Sequence, residues 1–486
     1  MPDPANIEPL APRAAADVAQ WDATADVVVV GGGCAGACAA IEAAEAGASV
    51  LVLERAMQIG GTSAMSSGLL YLGGGTATQE ACGVVDTADA MYDFLLLACG
   101  PGVDPAKARL YCDESVDHHD WLVDHGVEFK PELFPEPDIQ PATDAGLGFT
   151  GGEDTWPFAH LTPPAPRGHH ARFPNESGGY LMERLGAAVT AAGADLVCEV
   201  SVERLVLDEA GTVVGVEATR DGARWLVRAT GGVVLTAGGF LFNPDMVEAF
   251  VPLAARCNYP LGTDADDGRG IRMAQGAGAA VANMDALECH LPLHPPRRLS
   301  RGIIVNGAGR RFVNEDAYNG RIGQRSLLEH DGVAFMIVDE EIYEPNWLGL
   351  RIEWVAESAE ELAAEIGVSP VELAATVARY NADAGNGLDT EHHKRAELLQ
   401  PIGTPIGAID LRVSSTFYAS FTLGGVCTDV DGRVLTADGT PVAGLYAAGR
   451  TAAGIPAHGY VSGISLGDGT YFGRRAGRAS AVAATS

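Results

Sequence analysis

The chain has 486 residues, of which 47% are apolar and 61 are glycine, a composition typical of a large α/β enzyme with two or three domains. Its 64 acidic residues against 32 basic ones give a formal net charge of -32, so we expect no binding to nucleic acid or to anionic membrane surfaces. The nine cysteines form no C-x-x-C pair, which indicates reduced thiols in a cytoplasmic protein. No secretory signal and no apolar run of membrane-spanning length is visible, so we expect no stable membrane insertion.

An arm and a βαβ unit open the chain. Residues 1–19 are rich in proline and alanine, which predicts an extended N-terminal arm. The β-branched run 26–30 predicts a buried strand, and it leads directly into G-x-G-x-x-G at residues 31–36. An alanine-rich helix and a second strand follow, and that strand ends on Glu54.

Each special residue of this unit has a physical role in holding a dinucleotide. Gly31 allows a tight turn, Gly33 lets the backbone approach a pyrophosphate, and Gly36 lets the helix pack against the strand. The pyrophosphate then lies at the helix N-terminus, where free N–H groups and the helix dipole favour negative charge. Glu54 is placed to accept a ribose hydroxyl and would repel a 2′-phosphate, so the unit predicts FAD or NAD rather than NADP.

Three later segments are suited to surround the same ligand. Residues 60–68 form a loop of small and hydroxyl-bearing residues that can run close beneath a flat ring. A buried strand ends in the small residues 236–239, which leaves room for a ligand at its carboxyl end. A last helix begins near Gly463, and its N-terminus could face the pyrimidine edge of a flavin. We predict that this helix ends with the basic residues 474–478, which suit its negative terminus.

The remaining pattern predicts helices over 85–130 and an irregular excursion over 131–176. In that excursion we interpret His160, His169 and His170 as ordinary polar loop residues, although they could line a ligand mouth. Residues 302–315 predict a hairpin, and two helices follow at 358–365 and 370–381, the first with Ser358 as its N-cap. We expect no metal site, because the histidine pairs 118/119, 169/170 and 392/393 diverge and Pro292 separates His290 from His294.

The βαβ unit, the loop 60–63, the strand end 236–239 and the segment 445–466 together resemble the FAD-dependent fumarate reductase and 3-ketosteroid dehydrogenase family over nearly the whole chain. The resemblance implies an α/β fold with a Rossmann-like FAD-binding domain of the glutathione-reductase type. That domain, residues 20–285 and 419–486, would be split by an inserted α+β capping and catalytic domain at 286–418. The residues that would contact FAD are Gly31, Gly33, Ala35, Gly36, Glu54, Arg55, Gly61, Thr62, Ser63, Ser66, Gly68, Val202, Ala237, Gly238, Gly449, Ser465 and Leu466.

The segment 458–463 separates the branches of this family. Dicarboxylate reductases carry an arginine soon after a His-Gly pair, because a dianion needs bidentate cation recognition. Here His458 and Gly459 are followed by hydroxyl-bearing residues and no arginine, which resembles the 3-ketosteroid dehydrogenases and their large apolar substrates. Tyr460 and Ser462, together with Tyr318, are closest to the delta-4-(5-alpha) branch, which introduces a C4–C5 double bond.

The resemblance also implies catalytic roles. Tyr460 would donate to the 3-keto oxygen, Ser462 would take the proton from C4, and Tyr318 would assist Ser462 and pass the proton toward solvent. Other interpretations stay open: Ser462 could cap the last helix, Tyr318 could be a packing residue, and His458 could be a base or purely structural. The alternative functions are a delta-1 dehydrogenase, a reductase of a small unsaturated acid, and a flavoprotein that carries electrons or binds a partner without a substrate pocket. The electron acceptor is unknown.

Overall fold

The computed structural model describes residues 7–134, 143–174, 177–293, 296–346 and 348–485. The first six residues of the predicted arm and His294 of the His290/His294 pair therefore lie outside the described residues. No helix within those ranges is both long and apolar enough to span a membrane.

The largest sheet is organised around the long strand Ala223–Leu235. Its first half pairs antiparallel with Val213–Arg220, and its second half lies parallel between Ala23–Val30 and Pro441–Ala447. The valines of the first βαβ strand are buried, as expected for a strand covered on both faces. The strands of this sheet are Arg13–Ala14, Ala23–Val30, Val50–Leu53, Asp195–Val197, Val200–Leu207, Val213–Arg220, Ala223–Leu235, Arg433–Leu435 and Pro441–Ala447.

Two helices pack closely on one face of this sheet. The βαβ helix Cys34–Glu45 lies against the last helix, Ile464–Thr485. The glycine at 477 permits this close approach, since a Cβ there would come within 2.1 Å of the Ala39 carbonyl oxygen. The prediction that the last helix ends in its basic residues was wrong, since an alanine-rich turn continues it. Arg474 and Arg478 instead lie within the helix and donate to the buried carboxylate of Glu42.

A second, antiparallel sheet lies within the segment 286–418. It has the strand order Ile303–Asn306, Ala334–Asp339, Ile406–Asp410, Ile352–Ala356. The predicted hairpin at 302–315 is much shorter than expected: the Asn306 N–H bonds the Arg310 carbonyl and one bridge joins Val305 to Arg311. The main partner of its first strand is Ala334–Asp339. The reason is that Glu315 turns inward, where it accepts the Ile304 N–H and pairs with Arg311 in the protein interior.

The described part of the segment 131–176 contains more regular structure than its composition predicts. Leu147–Gly148 and Gly168–His170 form a small sheet with Leu69–Tyr71. Both histidines of the second strand are buried, so their interpretation as polar loop residues was wrong. His169 lies 2.7 Å from the Thr76 hydroxyl, and burial lowers its pKa to about 3, which keeps the ring neutral.

Another small sheet crosses the predicted boundaries at 286 and 418. Leu287–His290 pairs with Ala419–Thr422, which also pairs with Tyr259–Pro260. The loop predicted at 60–68 contains a one-turn helix, Gly61–Ala64, so that part of the prediction was wrong. The other strands are Val281–Ala282 and Gly425–Val426, and the other α-helices are Ala77–Ala81, Ala88–Ala98, Pro105–Asp113, Ser115–Asp124, Phe158–Leu161, Gly178–Ala191, Pro244–Phe250, Arg269–Gly276, Asn319–Gln324, Ala359–Ile366 and Pro370–Asn386. Ser358 caps the helix Ala359–Ile366, as predicted.

Candidate active site

A single cavity of about 670 Å³ runs from the glycine-rich turn of the βαβ unit to the segment that precedes the last helix. Gly31 and Glu54 line one end, which we call the cofactor end. Glu288, Tyr318 and Ser462 line the other, which we call the substrate end. The cavity lies at the carboxyl ends of the parallel strands, where sheets of this kind bind ligands.

The predicted cofactor residues line this cavity, with the exceptions of Gly36 and Gly68. A Cβ at Gly36 would lie 1.9 Å from the Gly31 carbonyl oxygen, so this glycine shapes the turn from behind. Gly68 has a φ of +68°, and a Cβ there would lie 2.3 Å from the Ser177 hydroxyl. Both glycines therefore shape the backbone around the cavity without lining it.

The cofactor end offers donors and acceptors suited to a dinucleotide. Gly33 begins the βαβ helix without a side-chain cap, and the Cys34 N–H at its first turn bonds the Ser63 hydroxyl at 3.2 Å. The Glu54 carboxylate accepts the Gly32 N–H at 2.6 Å, which holds it beside the glycine-rich turn. Ser465, in the first turn of the last helix, also lines the cavity, and its side chain hydrogen-bonds Tyr460. The residues present thus fit FAD, with polar groups along the cavity wall.

Asp266 is a residue of the cofactor end that the sequence analysis missed. Its carboxylate accepts the Thr62 hydroxyl and the Gly239 N–H, both at 3.0 Å, and it pairs with Arg450. Asp266 thereby connects three segments: the loop at 60–68, the end of the long strand Ala223–Leu235, and the segment that follows Pro441–Ala447. It lies in an irregular segment, and nothing in the local pattern distinguishes it from the neighbouring acidic residues.

The substrate end brings Tyr318 and Ser462 together from segments far apart in the chain. Their hydroxyl oxygens are 2.8 Å apart. Tyr318 precedes the helix Asn319–Gln324, and Ser462 precedes the last helix. The Ser462 hydroxyl thus has Tyr318 as its partner, while the first N–H of the last helix, from Ile464, bonds the Val461 carbonyl.

Glu288 is the second site residue that the sequence analysis missed. The Tyr318 hydroxyl donates to Glu288 Oε1 at 3.2 Å. The carboxyl is only 1% exposed, and burial raises its pKa to about 8. A glycine at 320 is needed here, because a Cβ would lie 2.3 Å from Glu288 Oε1. The available signal was one acidic residue within the mostly apolar run 286–293, at the start of the predicted insertion.

Tyr460 lies at the same end of the cavity. Its ring packs edge-to-face on Phe421, with centroids 5.2 Å apart, and its oxygen accepts the Ser465 N–H at 3.4 Å. Burial raises the pKa of Tyr460, and burial together with Glu288 raises the pKa of Tyr318. Both phenols therefore remain protonated at neutral pH and can donate hydrogen bonds.

Two further expectations concern histidine. His458 does not line the cavity: its ring bonds the Pro101 carbonyl at 2.9 Å and lies 3.1 Å from Asp285, which favours the structural interpretation. Among the described residues, no group of three or more His, Cys, Asp or Glu side chains is arranged to hold a metal ion.

Comparison with known proteins identifies the family. The family described as FAD binding domain matches residues 26–466. This chain belongs to that family. Its members bind FAD, so the FAD cofactor implied by the resemblance is confirmed, and it is one of the two dinucleotides that the βαβ unit predicts. The flavoprotein fold is confirmed as well.

Individual members of the family are similar over nearly the full chain. The crystal structure of the 3-ketosteroid-delta4-(5alpha)-dehydrogenase of Rhodococcus jostii RHA1, in complex with 4-androstene-3,17-dione, is 44% identical with a TM-score of 0.93, and the match covers 97% of this chain and 99% of that one. The 3-oxo-5-alpha-steroid 4-dehydrogenase of Comamonas testosteroni is 27% identical over 89% of this chain and 94% of its own. The 4-oxocyclohexanecarboxylate 2-dehydrogenase of Sinomonas cyclohexanicum is 31% identical over 94% of this chain and 92% of its own. The chain spans only 47% of another relative, the NADH:fumarate oxidoreductase of Klebsiella pneumoniae.

Proposed function

We propose that this FAD-binding protein is a 3-ketosteroid dehydrogenase that introduces a double bond between C4 and C5 of 3-keto-(5-alpha)-steroids. The observation that carries the proposal is the substrate end of the cavity, where Tyr318, Ser462 and Tyr460 lie together. The similarity to the Rhodococcus jostii enzyme over the full chain supports it. We further propose that residues 286–418 form the capping domain, since the segment provides Glu288 and Tyr318.

The reaction needs three groups around the substrate ketone. A proton must leave the carbon next to the carbonyl, a donor must stabilise the developing enolate oxygen, and a hydride must leave the beta carbon. FAD, when bound, accepts this hydride at N5. Tyr460 is the proposed donor to the ketone oxygen, and Ser462 is the proposed base at C4. A serine hydroxyl is a weak base alone. Its 2.8 Å contact with the Tyr318 hydroxyl supports the proposal that Tyr318 assists Ser462 in removing the proton.

Different residues of the cofactor end would hold different parts of FAD. The turn Gly31–Gly33 and the N-terminus of the helix Cys34–Glu45 would hold the pyrophosphate, and Glu54 would hold the ribose. Ser465 would donate to the flavin ring from the N-terminal turn of the last helix. The electron acceptor that reoxidises the protein is unassigned, and the cytoplasmic location is a proposal that rests on nine free cysteines.

The test is anaerobic mixing of the oxidised holoprotein with 5α-androstane-3,17-dione. We expect the flavin absorbance to bleach and the product to be the 4-ene-3-ketone. A 1-ene product would place the protein with the delta-1 dehydrogenases. An unchanged spectrum with the steroid, together with reoxidation of the reduced protein by fumarate, would favour a reductase of small unsaturated acids.

One observation favours a second candidate, a dehydrogenase of a small cyclic ketone that carries a carboxylate. Arg450 lines the cavity, and its guanidinium lies 5.7 Å from the ring of Phe421, which also contacts Tyr460. Its Nη2 pairs with Asp266, so a carboxylate in the cavity would share this guanidinium with Asp266. The same bleaching assay with 4-oxocyclohexanecarboxylate decides between the candidates. Faster bleaching by the small acid than by the steroid would favour this one.

A further inference from the structure

Glu288 is the one carboxyl group in hydrogen-bond contact with the Tyr318 hydroxyl among the described residues, and the roles proposed for Tyr460, Ser462 and Tyr318 do not involve it. Its Oε1 lies 3.2 Å from Tyr318 Oη, which in turn lies 2.8 Å from Ser462 Oγ. The three groups form an unbroken chain of hydrogen bonds at the cavity wall. Glu288 is buried, so the chain is shielded from bulk water on its carboxyl side.

The donor-to-acceptor direction of these hydrogen bonds matches removal of a proton from the substrate. An ionised carboxylate can only accept, so the Tyr318 O–H must point to Glu288. The oxygen of Tyr318 is then the acceptor for the Ser462 O–H. This arrangement leaves a lone pair on Ser462 Oγ that is free to face a C–H bond of the substrate.

We propose that ionised Glu288 is the final acceptor of the substrate proton and acts through Tyr318 and Ser462. The inference rests on the proposed function, since it concerns the proton that leaves C4 of a 3-ketosteroid. In this scheme Glu288 acts through the Tyr318 and Ser462 hydroxyls and sets the direction in which their protons move.

The proton transfer balances without any further reactant. The C4–H bond breaks, and its electron pair stays on the substrate and moves toward the ketone oxygen, where Tyr460 donates a hydrogen bond. Ser462 Oγ gains the proton while its own hydrogen passes to Tyr318 Oη. The Tyr318 hydrogen passes to Glu288 Oε1, so both hydroxyls end neutral and the carboxylate becomes a carboxylic acid.

The surroundings of Glu288 determine when it can accept. The titratable groups that face it are Cys99, Cys289, His290, Tyr318 and Tyr460. On the paired strand Ala419–Thr422, the residue opposite Glu288 is the uncharged Phe421. The guanidinium of Arg321, on the helix Asn319–Gln324, lies over the ring of Phe158. Burial raises the pKa of Glu288 to about 8. The accepting form is thus a minority at pH 7, and proton removal should rise about tenfold per pH unit up to pH 8 and then level off.

The decisive experiment isolates proton removal from hydride transfer. The holoprotein is reduced anaerobically with dithionite, so that it cannot take a hydride, and is incubated in D₂O with 5α-androstane-3,17-dione. Deuterium incorporation at C4, located by NMR and mass spectrometry, then measures the proton step alone. We expect the wild-type exchange rate to rise with pH to a plateau near pH 8.

Variants of the relay and one matched control complete the test. Glu288→Gln should keep FAD and steroid binding, exchange at least tenfold more slowly at pH 9, and lose the rise with pH. Glu288→Asp should recover part of the rate and the rise. In a Tyr318→Phe background, Glu288→Gln should slow the exchange at C4 by less than a further twofold. Asp468→Asn removes another buried carboxyl, whose pKa is raised to about 6, and should leave the exchange profile unchanged.

The possible outcomes separate this inference from the function on which it rests. Wild-type rate and pH profile in Glu288→Gln would overturn the inference, and so would a full additional loss in the Tyr318→Phe background, because Glu288 would then act independently of the relay. Flavin bleaching by the steroid without pH-dependent exchange at C4 would overturn the inference alone. A holoprotein that neither bleaches nor exchanges with the steroid would overturn the proposed function and the inference together.

Discussion

At the cofactor end of the cavity, the turn and the carboxylate from Gly31 to Glu54 belong to one continuous βαβ unit, whereas at the substrate end Glu288, Tyr318 and Ser462 come from three separate segments. The cofactor end depends on backbone geometry that a short stretch of sequence specifies. The substrate end depends on side chains that meet only when the chain is folded. Substitutions should therefore affect fold and cofactor at one end, and rate or pH dependence at the other.

The largest effect should come from Gly36→Ala at the cofactor end. The added Cβ would lie 1.9 Å from the Gly31 carbonyl oxygen, which is backbone and cannot move aside cheaply. We expect a loss of about 3 kcal/mol or more in the free energy of unfolding and loss of bound FAD. Thermal unfolding and the ratio of flavin to protein absorbance measure the two effects.

Gly33→Ala is the matched control for this prediction. Its Cβ would meet the Ser63 hydroxyl at 3.5 Å, an ordinary contact, so the apoprotein should unfold near the wild-type temperature. FAD affinity should still fall, because this is where the pyrophosphate approaches the backbone. Wild-type FAD content in Gly36→Ala would show that the close packing of helix and turn does not determine cofactor binding.

At the substrate end, Tyr460→Phe, Ser462→Ala and Tyr318→Phe should each retain FAD. Each should reduce the rate of flavin bleaching by a steroid by about two orders of magnitude or more, the usual effect of losing an oxyanion donor or a base. Stopped-flow absorbance measures this rate, and the flavin spectrum of the resting protein reports cofactor retention. Nearly normal turnover of Ser462→Ala would reduce that serine to a structural residue.

Glu288→Gln should change how stability depends on pH. Because burial raises the pKa of Glu288 from 4.5 to about 8, the folded state binds the proton more tightly than the unfolded state. The stabilisation from this proton is complete below pH 4.5 and is lost as pH rises through 8, with an upper limit of about 5 kcal/mol. Urea unfolding measures the free energy of unfolding at pH 6 and at pH 9. The decrease in this free energy between the two pH values should be smaller in the variant than in the wild type. An identical loss in both proteins would mean that Glu288 ionises normally.

The smallest effect is expected from Phe421→Leu. The edge-to-face contact with Tyr460 contributes about 0.5–1.5 kcal/mol beyond the area it buries, so kcat/KM should fall by about tenfold at most. Steady-state kinetics with the steroid measure this change, and the FAD content should remain that of the wild type. A loss as large as that of Tyr460→Phe would mean that the ring orientation of Tyr460 depends wholly on Phe421.

Much of the cofactor end could be predicted because its signals are local. A run of valines, three glycines at fixed spacing and a terminal glutamate each restrict the backbone or the ligand within about thirty residues. Asp266 escaped prediction because its partners, Thr62, Gly239 and Arg450, lie far from it in sequence. The error at 302–315 has the same origin, since the Glu315 carboxylate that accepts the Ile304 N–H also pairs with Arg311 in the protein interior.

The sequence by itself determined the dinucleotide unit, and its resemblance to a known family implied Tyr318, Tyr460 and Ser462 as site residues. Only the tertiary structure placed the Tyr318 and Ser462 hydroxyls 2.8 Å apart and brought Glu288 to the same chain of hydrogen bonds. The physical reason is the range of the interactions. Backbone geometry and helix periodicity depend on neighbours in sequence, whereas burial and hydrogen bonding of a carboxyl depend on whichever segments the fold packs around it.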